Sequence, residues 1–374
     1  MEEIEIEEMR IGYEDICRRR VGQQIVEWYS CIMTKDIKQA KLLKPEVDIM
    51  VANMKPDDKM LAYYQLVSLQ YDLLILKVSP SEAKANLDVT VLENIANQAN
   101  DYLNFMYYYV WGRTEFYNKR YKSAIRTYKI AERLIEKVND PVEKAEFYQN
   151  IGINYYHIDQ YTFACSYLEQ ALEFFEKNSS YIINVFMCKQ ILGSIHSELH
   201  QREKAEEIFN ELLISTNSYP YDHAVARYNI GLHKISIENY EEAIKSFNEA
   251  LDNQEFRNST IYLKAKYHVI NLQLRLGNKP EGLEQLEEEV HNKNAKEIKA
   301  KLIICRGLYI EDDISLVNKG LELLESQEYF VESRFMAKEI SKHFEEVFDL
   351  EKALHFSEYA KEMKSKIILG VDQS

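Results

Sequence analysis

Hydrophobic positions in the middle of the chain recur with a long and regular period. Four segments align without gaps, and they read "YKSAIRTYKIAERL" from 121, "YTFACSYLEQALEF" from 161, "REKAEEIFNELLIS" from 202 and "YEEAIKSFNEALDN" from 240. Each segment has an alanine followed four residues later by a large residue. The alanines are Ala124, Ala164, Ala205 and Ala243, and the large residues are Tyr128, Leu168, Phe209 and Phe247. Residues three and four apart share one face of a helix, so each segment predicts an amphipathic helix.

A second helix is indicated before each of these segments by a glycine twelve residues upstream of the alanine. The glycines are Gly112, Gly152, Gly193 and Gly231, at spacings of 40, 41 and 38 residues. Such two-helix units look like the tetratricopeptide repeat (TPR), whose usual length is about 34 residues. Weaker copies follow around Gly282 and Ala353, with a degenerate unit between them. We therefore predict an all-α fold with about seven repeats over 102–367, stacked into a right-handed superhelix.

Residues before the repeats follow a different pattern. The segments "VGQQIVEWYSCIM", "IKQAKLLKPEVDIMVANM" and "DKMLAYYQLVSLQYDLLILKV" read as three amphipathic helices, which predicts a three-helix bundle over 21–80. A linker helix region is expected at 81–101. Residues 1–20 are interpreted as an N-terminal extension and 368–374 as a tail.

The charge of the chain restricts its partners. It has 46 Lys and Arg against 61 Asp and Glu, a formal net charge of −15. Nucleic-acid binding needs a basic surface, and the one dense basic cluster, at 18–20, follows an acidic leader. We expect no nucleic-acid partner, and the lack of a basic recognition helix disfavours a transcription factor. An acidic protein is better suited to basic protein surfaces or cationic peptides.

Motifs for other chemistry are not found in the sequence. The five cysteines stand singly, without a CxxC pair, which is typical of reduced thiols in the cytoplasm. No glycine-rich phosphate loop, GxSxG motif or paired histidine ligands occur. The N-terminus lacks signal-peptide features, and no apolar run approaches the roughly 18 residues that span a bilayer. We expect a cytoplasmic protein with no membrane contact, no metal site and no cofactor of its own.

Several phrases together resemble the Rap family of Bacillus. They are "VGQQIVEWY" (21–29), "MLAYYQL" (60–66), "EKAEFYQNIGINYYHIDQYTFACSY" (143–167) and "ARYNIGLHK" (226–234). The resemblance extends from about residue 21 to the C-terminus. It implies a response regulator aspartate phosphatase, or a regulator-binding protein, of two-component signalling in quorum sensing, sporulation and competence. It also implies inhibition by a secreted and reimported Phr-type peptide with a basic residue, held in the TPR groove.

The resemblance assigns roles to individual positions. The anchor for the peptide backbone falls on Asn229, and the acid that pairs the basic residue falls on Glu198, where the family usually has Asp. Inner-face positions of the first helices add Gln149, Tyr156 and Tyr228 as candidate peptide contacts. The positions that contact the regulator are Asp57, Leu61, Leu69, Asp140 and Glu143.

The stretch "MKPDDKMLAYYQL" (54–66) carries the question of catalysis. Asp57 or Asp58 can cap the predicted helix by accepting a bond from its first backbone N–H groups. Phosphatase members have "DQD" here, with a Gln that orients the attacking water, whereas this chain has "DDK" with Asp58 at that place. A carboxylate repels the phosphoryl group, so any catalytic role of Asp58 is in doubt. The alternative is a non-catalytic TPR scaffold that acts by sequestration. Any Mg²⁺ would belong to the regulator.

Overall fold

A computed structural model describes residues 2–78 and 100–369, with side chains described over 18–78 and 100–367. All regular structure in these ranges is helical. The first three helices are α1 Glu2–Met33, α2 Ile37–Asn53 and α3 Asp58–Val78. The later helices are α4 Asp101–Tyr117, α5 Tyr121–Ile135, α6 Pro141–His157, α7 Tyr161–Phe175, α8 Ile182–Glu198, α9 Arg202–Ser215, α10 Pro220–Ser236, α11 Tyr240–Leu251, α12 Gln254–Arg257, α13 Tyr262–Arg275, α14 Leu283–Asn292, α15 Lys296–Tyr309, α16 Ile314–Ser326, α17 Phe330–Glu346 and α18 Leu350–Leu369.

Apart from the one-turn helix α12, the helices from α4 to α18 form seven consecutive pairs. In the four pairs that carry the aligned glycines, the first helix is followed by a residue with positive φ, and none of these four residues is glycine. They are Lys119, Asp159, His200 and Glu238, with φ between 56° and 63°. Each lies seven residues after the glycine of its unit, so the backbone repeats with the period of the sequence. The next N–H then bonds back into the last turn, as in a Schellman cap.

The alanine and glycine positions are the closest contacts within a pair. Ala124, Ala164, Ala205 and Ala243 have no exposed surface, and the large residues that follow them are equally buried. A Cβ atom built on Gly231 would lie 2.6 Å from Cε1 of Phe247, which is closer than van der Waals contact allows. The other three glycines face the large residue of their own unit in the same way. The sequence prediction of paired, closely packed helices is confirmed.

We expect Gly231→Ala to lower the free energy of unfolding by about 1–3 kcal/mol, because the new methyl group overpacks against the buried Phe247 ring. Thermal unfolding followed by far-UV circular dichroism measures the effect. Lys204→Ala, on an exposed position of α9, serves as the control and should change stability by no more than about 0.5 kcal/mol. Equal effects of the two substitutions would contradict this packing.

The described residues cluster into two compact units. The first unit holds the described residues up to Asn154 together with Ala164–Cys188, and the second holds Tyr155–Phe163 and the described residues from Lys189 onward. Helix α1 runs through the predicted boundary at residue 20, and α18 runs past the predicted end of the repeats at 367. Most of the predicted linker at 81–101 and of the tail lies outside the described residues. The proposed domain limits therefore stay predictions.

Among the described helices, none combines the length and the apolar character needed to cross a bilayer. In the same residues, no cluster of three or more His, Cys, Asp or Glu side chains could hold a metal ion.

Candidate functional site

The second unit contains a cavity of about 390 Å³ formed by the first helices of successive pairs. Four of the residues predicted to contact a peptide line it, namely Tyr156, Glu198, Tyr228 and Asn229. Helix α10 supplies two of them, and its first turn is defined by Pro220, whose fixed φ suits that position. The structure thus brings together side chains that are up to 73 positions apart in the sequence.

The Asn229 carboxamide is a polar group of this cavity with unused hydrogen-bonding capacity. The residue is half-buried, and no hydrogen bond to its side chain is found in the described part of the chain. A carboxamide has two N–H donors and one oxygen acceptor, which is the complement of a peptide unit. The geometry is therefore suited to holding an extended backbone.

Charges in the cavity wall are partly compensated. Asp159 forms an ion pair with Arg334, which is buried, and the pKa of Asp159 is lowered because the guanidinium outweighs the cost of burial. Glu198 is exposed at the wall, and desolvation raises its pKa, although Lys338 opposes the shift. Since Asp159 already has a partner, Glu198 is the carboxylate better placed to receive a cation from a ligand.

Aromatic and imidazole rings form an uncharged part of the cavity wall. The Tyr228 ring packs against Phe247 with centroids 5.5 Å apart and against His268 at 6.1 Å. Burial lowers the pKa of His268 to about 3 and also lowers that of His233, so both imidazoles are neutral at pH 7. The wall therefore offers apolar surface beside the Asn229 amide and the Glu198 carboxylate.

The first unit has a separate cavity of about 680 Å³. Three of the positions predicted to contact a response regulator line it, namely Asp57, Asp140 and Glu143. Asp140 is exposed and caps α6, since its Oδ1 accepts from the N–H of Val142 at 2.9 Å. Leu61 and Leu69 are half-buried on α3 but do not line this cavity.

Glu143 is a buried acid at the wall of the first-unit cavity. Its side-chain oxygens accept from the hydroxyl groups of Tyr29 at 3.0 Å and Tyr102 at 2.7 Å. Burial raises the pKa of Glu143 to about 7, although these two phenols counteract the shift. Only 3% of the residue is exposed, so a partner would reach it through the cavity and not across an open surface.

The start of α3 separates the roles of its two acids. Asp57 Oδ1 accepts from the N–H of Met60 at 3.0 Å, so Asp57 is the cap, and its other oxygen lies 3.6 Å from Nε of Arg18. Asp58 is exposed in the first turn, and it has no hydrogen-bond or ion-pair partner within the described ranges. Asp58 is therefore not needed for capping, and its carboxylate is available to a binding partner.

A buried charged network in the first unit was not anticipated from the sequence. Glu146 accepts from Lys35 Nζ at 2.7 Å and from Asn184 Nδ2 at 2.9 Å, and Arg113 lies 4.0 Å away. Glu146 lies on the first helix of its pair, and its side chain is 1% exposed. The repeat pattern gives no signal for this, because Lys35 precedes the repeats and pairs with Glu146 from a turn.

Gln149 belongs to the same buried region. Its Nε2 donates to the Asn184 carbonyl at 2.8 Å and lies 3.1 Å from Sγ of Cys188. It does not line the second-unit cavity, and its amide is already bonded inside the protein. A role of Gln149 as a peptide contact thus has no support from its surroundings.

Comparison with known proteins places this geometry in a family. A profile described as response regulator aspartate phosphatase H, N terminal, matches residues 15–76, and a tetratricopeptide repeat profile matches residues 224–256. Response regulator aspartate phosphatase I of Bacillus subtilis is 27% identical over 94% of this chain and 92% of its own length. The crystal structure of a Rap protein complexed with Competence and Sporulation Factor aligns with a TM-score of 0.85.

The chain belongs to the Rap family. The Rap protein in the crystal structure just named shares 25% sequence identity with this chain. The alignment covers 94% of this chain and 99% of that one. Together with the repeat profile, the alignment confirms the predicted all-α fold with a TPR superhelix. In that crystal structure, a protein with this architecture is in complex with Competence and Sporulation Factor.

One similar protein is named as a methyltransferase and not as a Rap protein. Type II methyltransferase M.CeqI of Rhodococcus hoagii is 34% identical over 96% of this chain and 70% of its own length. Open α/β sheets that bind nucleotide-type cofactors need parallel strands and a glycine-rich turn. The described residues of this chain form no strand, and its net charge is −15. The described residues therefore hold no sheet of this kind.

Proposed function

We propose that this protein is a Rap-type signalling protein that binds a response regulator with its first unit and a short peptide in the second-unit cavity. The peptide would end the interaction with the regulator. The observation that carries the proposal is the Asn229 amide, which has no partner in the described residues and lines the same cavity as Glu198. The solved Rap protein with its signalling factor supports this reading, since its architecture is shared over nearly the whole chain.

Residues at and near the start of α3 support the proposed binding of a response regulator. Asp58 is exposed, and Leu61 and Leu69 follow on the same helix as half-buried apolar residues. An acidic group beside apolar side chains suits the rim and centre of a protein interface. Binding of purified response regulators to immobilised protein tests the proposal, with Leu61→Arg expected to weaken the complex.

We infer that regulator binding, and not hydrolysis of the phosphoryl group, is the main activity. Positioning of the attacking water dominates the catalysis of phosphoryl transfer, and the Asp58 carboxylate would bring a like charge towards the dianionic group. An amide at this position would accept from the water without that repulsion.

We expect Asp58→Gln to shorten the half-life of phosphoryl-aspartate on a bound regulator by roughly tenfold or more. The half-life is measured by loss of radiolabel from the phosphorylated regulator, with and without the protein. Asp58→Asn is the matched control. It also removes the charge, but the Asn side chain is one methylene group shorter than Gln and does not reach as far towards the phosphoryl group. Rapid decay with the wild-type protein would contradict the inference and would mean that a carboxylate suffices.

A further inference from the structure

The first-unit cavity has a wall suited to a cation. Three carboxylate residues line it, Asp57, Asp140 and Glu143, whereas Lys59 is the one basic residue among the described lining side chains. Asp57 is partly compensated by Arg18, whereas Asp140 and Glu143 have no ion-pair partner among the described residues. A cavity with this lining attracts positive charge and repels phosphate or carboxylate groups.

Tyrosine rings provide the rest of the wall. Tyr29, Tyr63 and Tyr102 all line the cavity. The ring centroid of Tyr63 lies 6.4 Å from that of Tyr29 and 6.1 Å from that of Tyr102. Tyr181 lines it as well, and its pKa is raised by burial and by the nearby acids. Faces of aromatic rings attract ammonium groups, most strongly where water is excluded.

The hydrogen bonds of Glu143 leave it able to accept a further donor. Tyr29 and Tyr102 each donate to a different one of its oxygens, and each carboxylate oxygen has a second acceptor position. The phenols therefore fix the carboxylate at the wall without saturating it. A cation that enters the cavity would therefore meet an acid whose orientation is already set.

We propose that this cavity binds a primary alkylammonium group through Glu143, Asp140 and the tyrosine rings. The group could come from a free aliphatic diamine or from a lysine side chain of a bound protein, and both present the same chemistry. The site goes beyond the proposed function, because the cation is expected to bind when no regulator is present. The volume of about 680 Å³ is ample for a four-carbon diamine.

Isothermal titration calorimetry with putrescine tests the site on the full chain. We expect saturable binding with a dissociation constant on the order of 0.1 mM, as suits a ligand of this size. Glu143→Gln should weaken binding about tenfold or more by removing a charge-assisted bond. Glu173→Gln, which removes an exposed carboxylate of the same unit, should leave the constant unchanged.

The pH dependence gives a readout from the wild-type protein alone. The titratable groups around Glu143 come from several elements. They are Tyr29 on α1, Tyr63 on α3, Tyr102 and Tyr109 on α4, Asp140 and Glu146 at α6, and Tyr181 before α8, with Lys35 and Arg113 next to Glu146. Since the pKa of Glu143 is about 7, the acid is largely neutral at pH 6 and ionised at pH 8. Affinity for putrescine should rise across this window, by up to about tenfold per pH unit below the pKa.

Two further probes identify the source of the ammonium group. Putrescine binding more than about tenfold tighter than n-butylamine would mean that a second carboxylate holds a second ammonium group, as for a free diamine. Equal affinity for n-butylamine and for Nα-acetyl-lysine amide, whose side-chain ammonium is free, would assign the site to a lysine side chain. The proposal is overturned if none of these probes binds up to about 10 mM, or if Glu143→Gln and pH leave binding unchanged.

Discussion

Replacement of Glu146 by alanine is expected to lower the free energy of unfolding of the first unit by about 3–5 kcal/mol. The substitution leaves the Lys35 ammonium, whose side chain is 7% exposed, without its partner at 2.7 Å. It also removes one of the two acceptors of the Asn184 amide, leaving Gln149 Oε1 at 3.2 Å, and a charge near Arg113. An unpaired buried charge costs far more than a lost surface contact, so the loss should exceed the one expected for Gly231→Ala.

The effect can be measured by urea unfolding followed by tryptophan fluorescence. The chain has two tryptophans, Trp28 and Trp111, and both lie in the first unit, so the signal reports that unit. Glu173→Ala is the matched control, because Glu173 pairs with Lys177 at 3.0 Å but both side chains are at least 68% exposed. The control should cost less than about 0.5 kcal/mol. Similar losses in the two variants would refute a buried network at Glu146.

Asn229→Ala should weaken peptide binding by roughly 30- to 100-fold, while binding of the regulator stays unchanged. The amide is expected to make two hydrogen bonds to the peptide backbone inside a sheltered cavity, and each is worth about 1–1.5 kcal/mol. The probes are five- and six-residue peptides with a basic residue near the start, titrated by calorimetry.

The control for this substitution is Asn210→Ala, on an exposed position of α9 that does not line the cavity. It should bind the same peptides as the wild type does. If Asn229→Ala also retained wild-type affinity, the assignment of the backbone anchor would be wrong. Loss of both peptide and regulator binding would instead indicate a folding defect, which circular dichroism detects.

The fold was predictable because its pattern repeats. The alanines, the large residues and the glycines recur at about 40 residues, and each glycine does face the large residue of its own unit. The turns between the helices were not predictable in detail. Lys119, Asp159, His200 and Glu238 adopt positive φ without being glycine, so the sequence carries no local signal for the cap.

Residues of the candidate peptide site were predictable where they lie on one face of a helix of the repeat. Tyr228 and Asn229 share α10. The inner-face pattern of the repeat indicated Tyr228, the family resemblance indicated Asn229 and Glu198, and all three line the cavity. The pairing of Lys35 with Glu146 spans 111 positions and has no periodic signature. The burial of Gln149 likewise depends on Asn184 and Cys188 of α8, which sequence spacing does not reveal.

The measurement that tests the central claim most directly is the binding of a panel of purified response regulators to this protein, repeated with the peptide that binds best. We predict that at least one regulator forms a stable complex, that Leu61→Arg weakens this complex and that the peptide dissociates it. Peptide binding without a complex with any regulator would contradict the proposed function and would favour a TPR scaffold that acts through other partners.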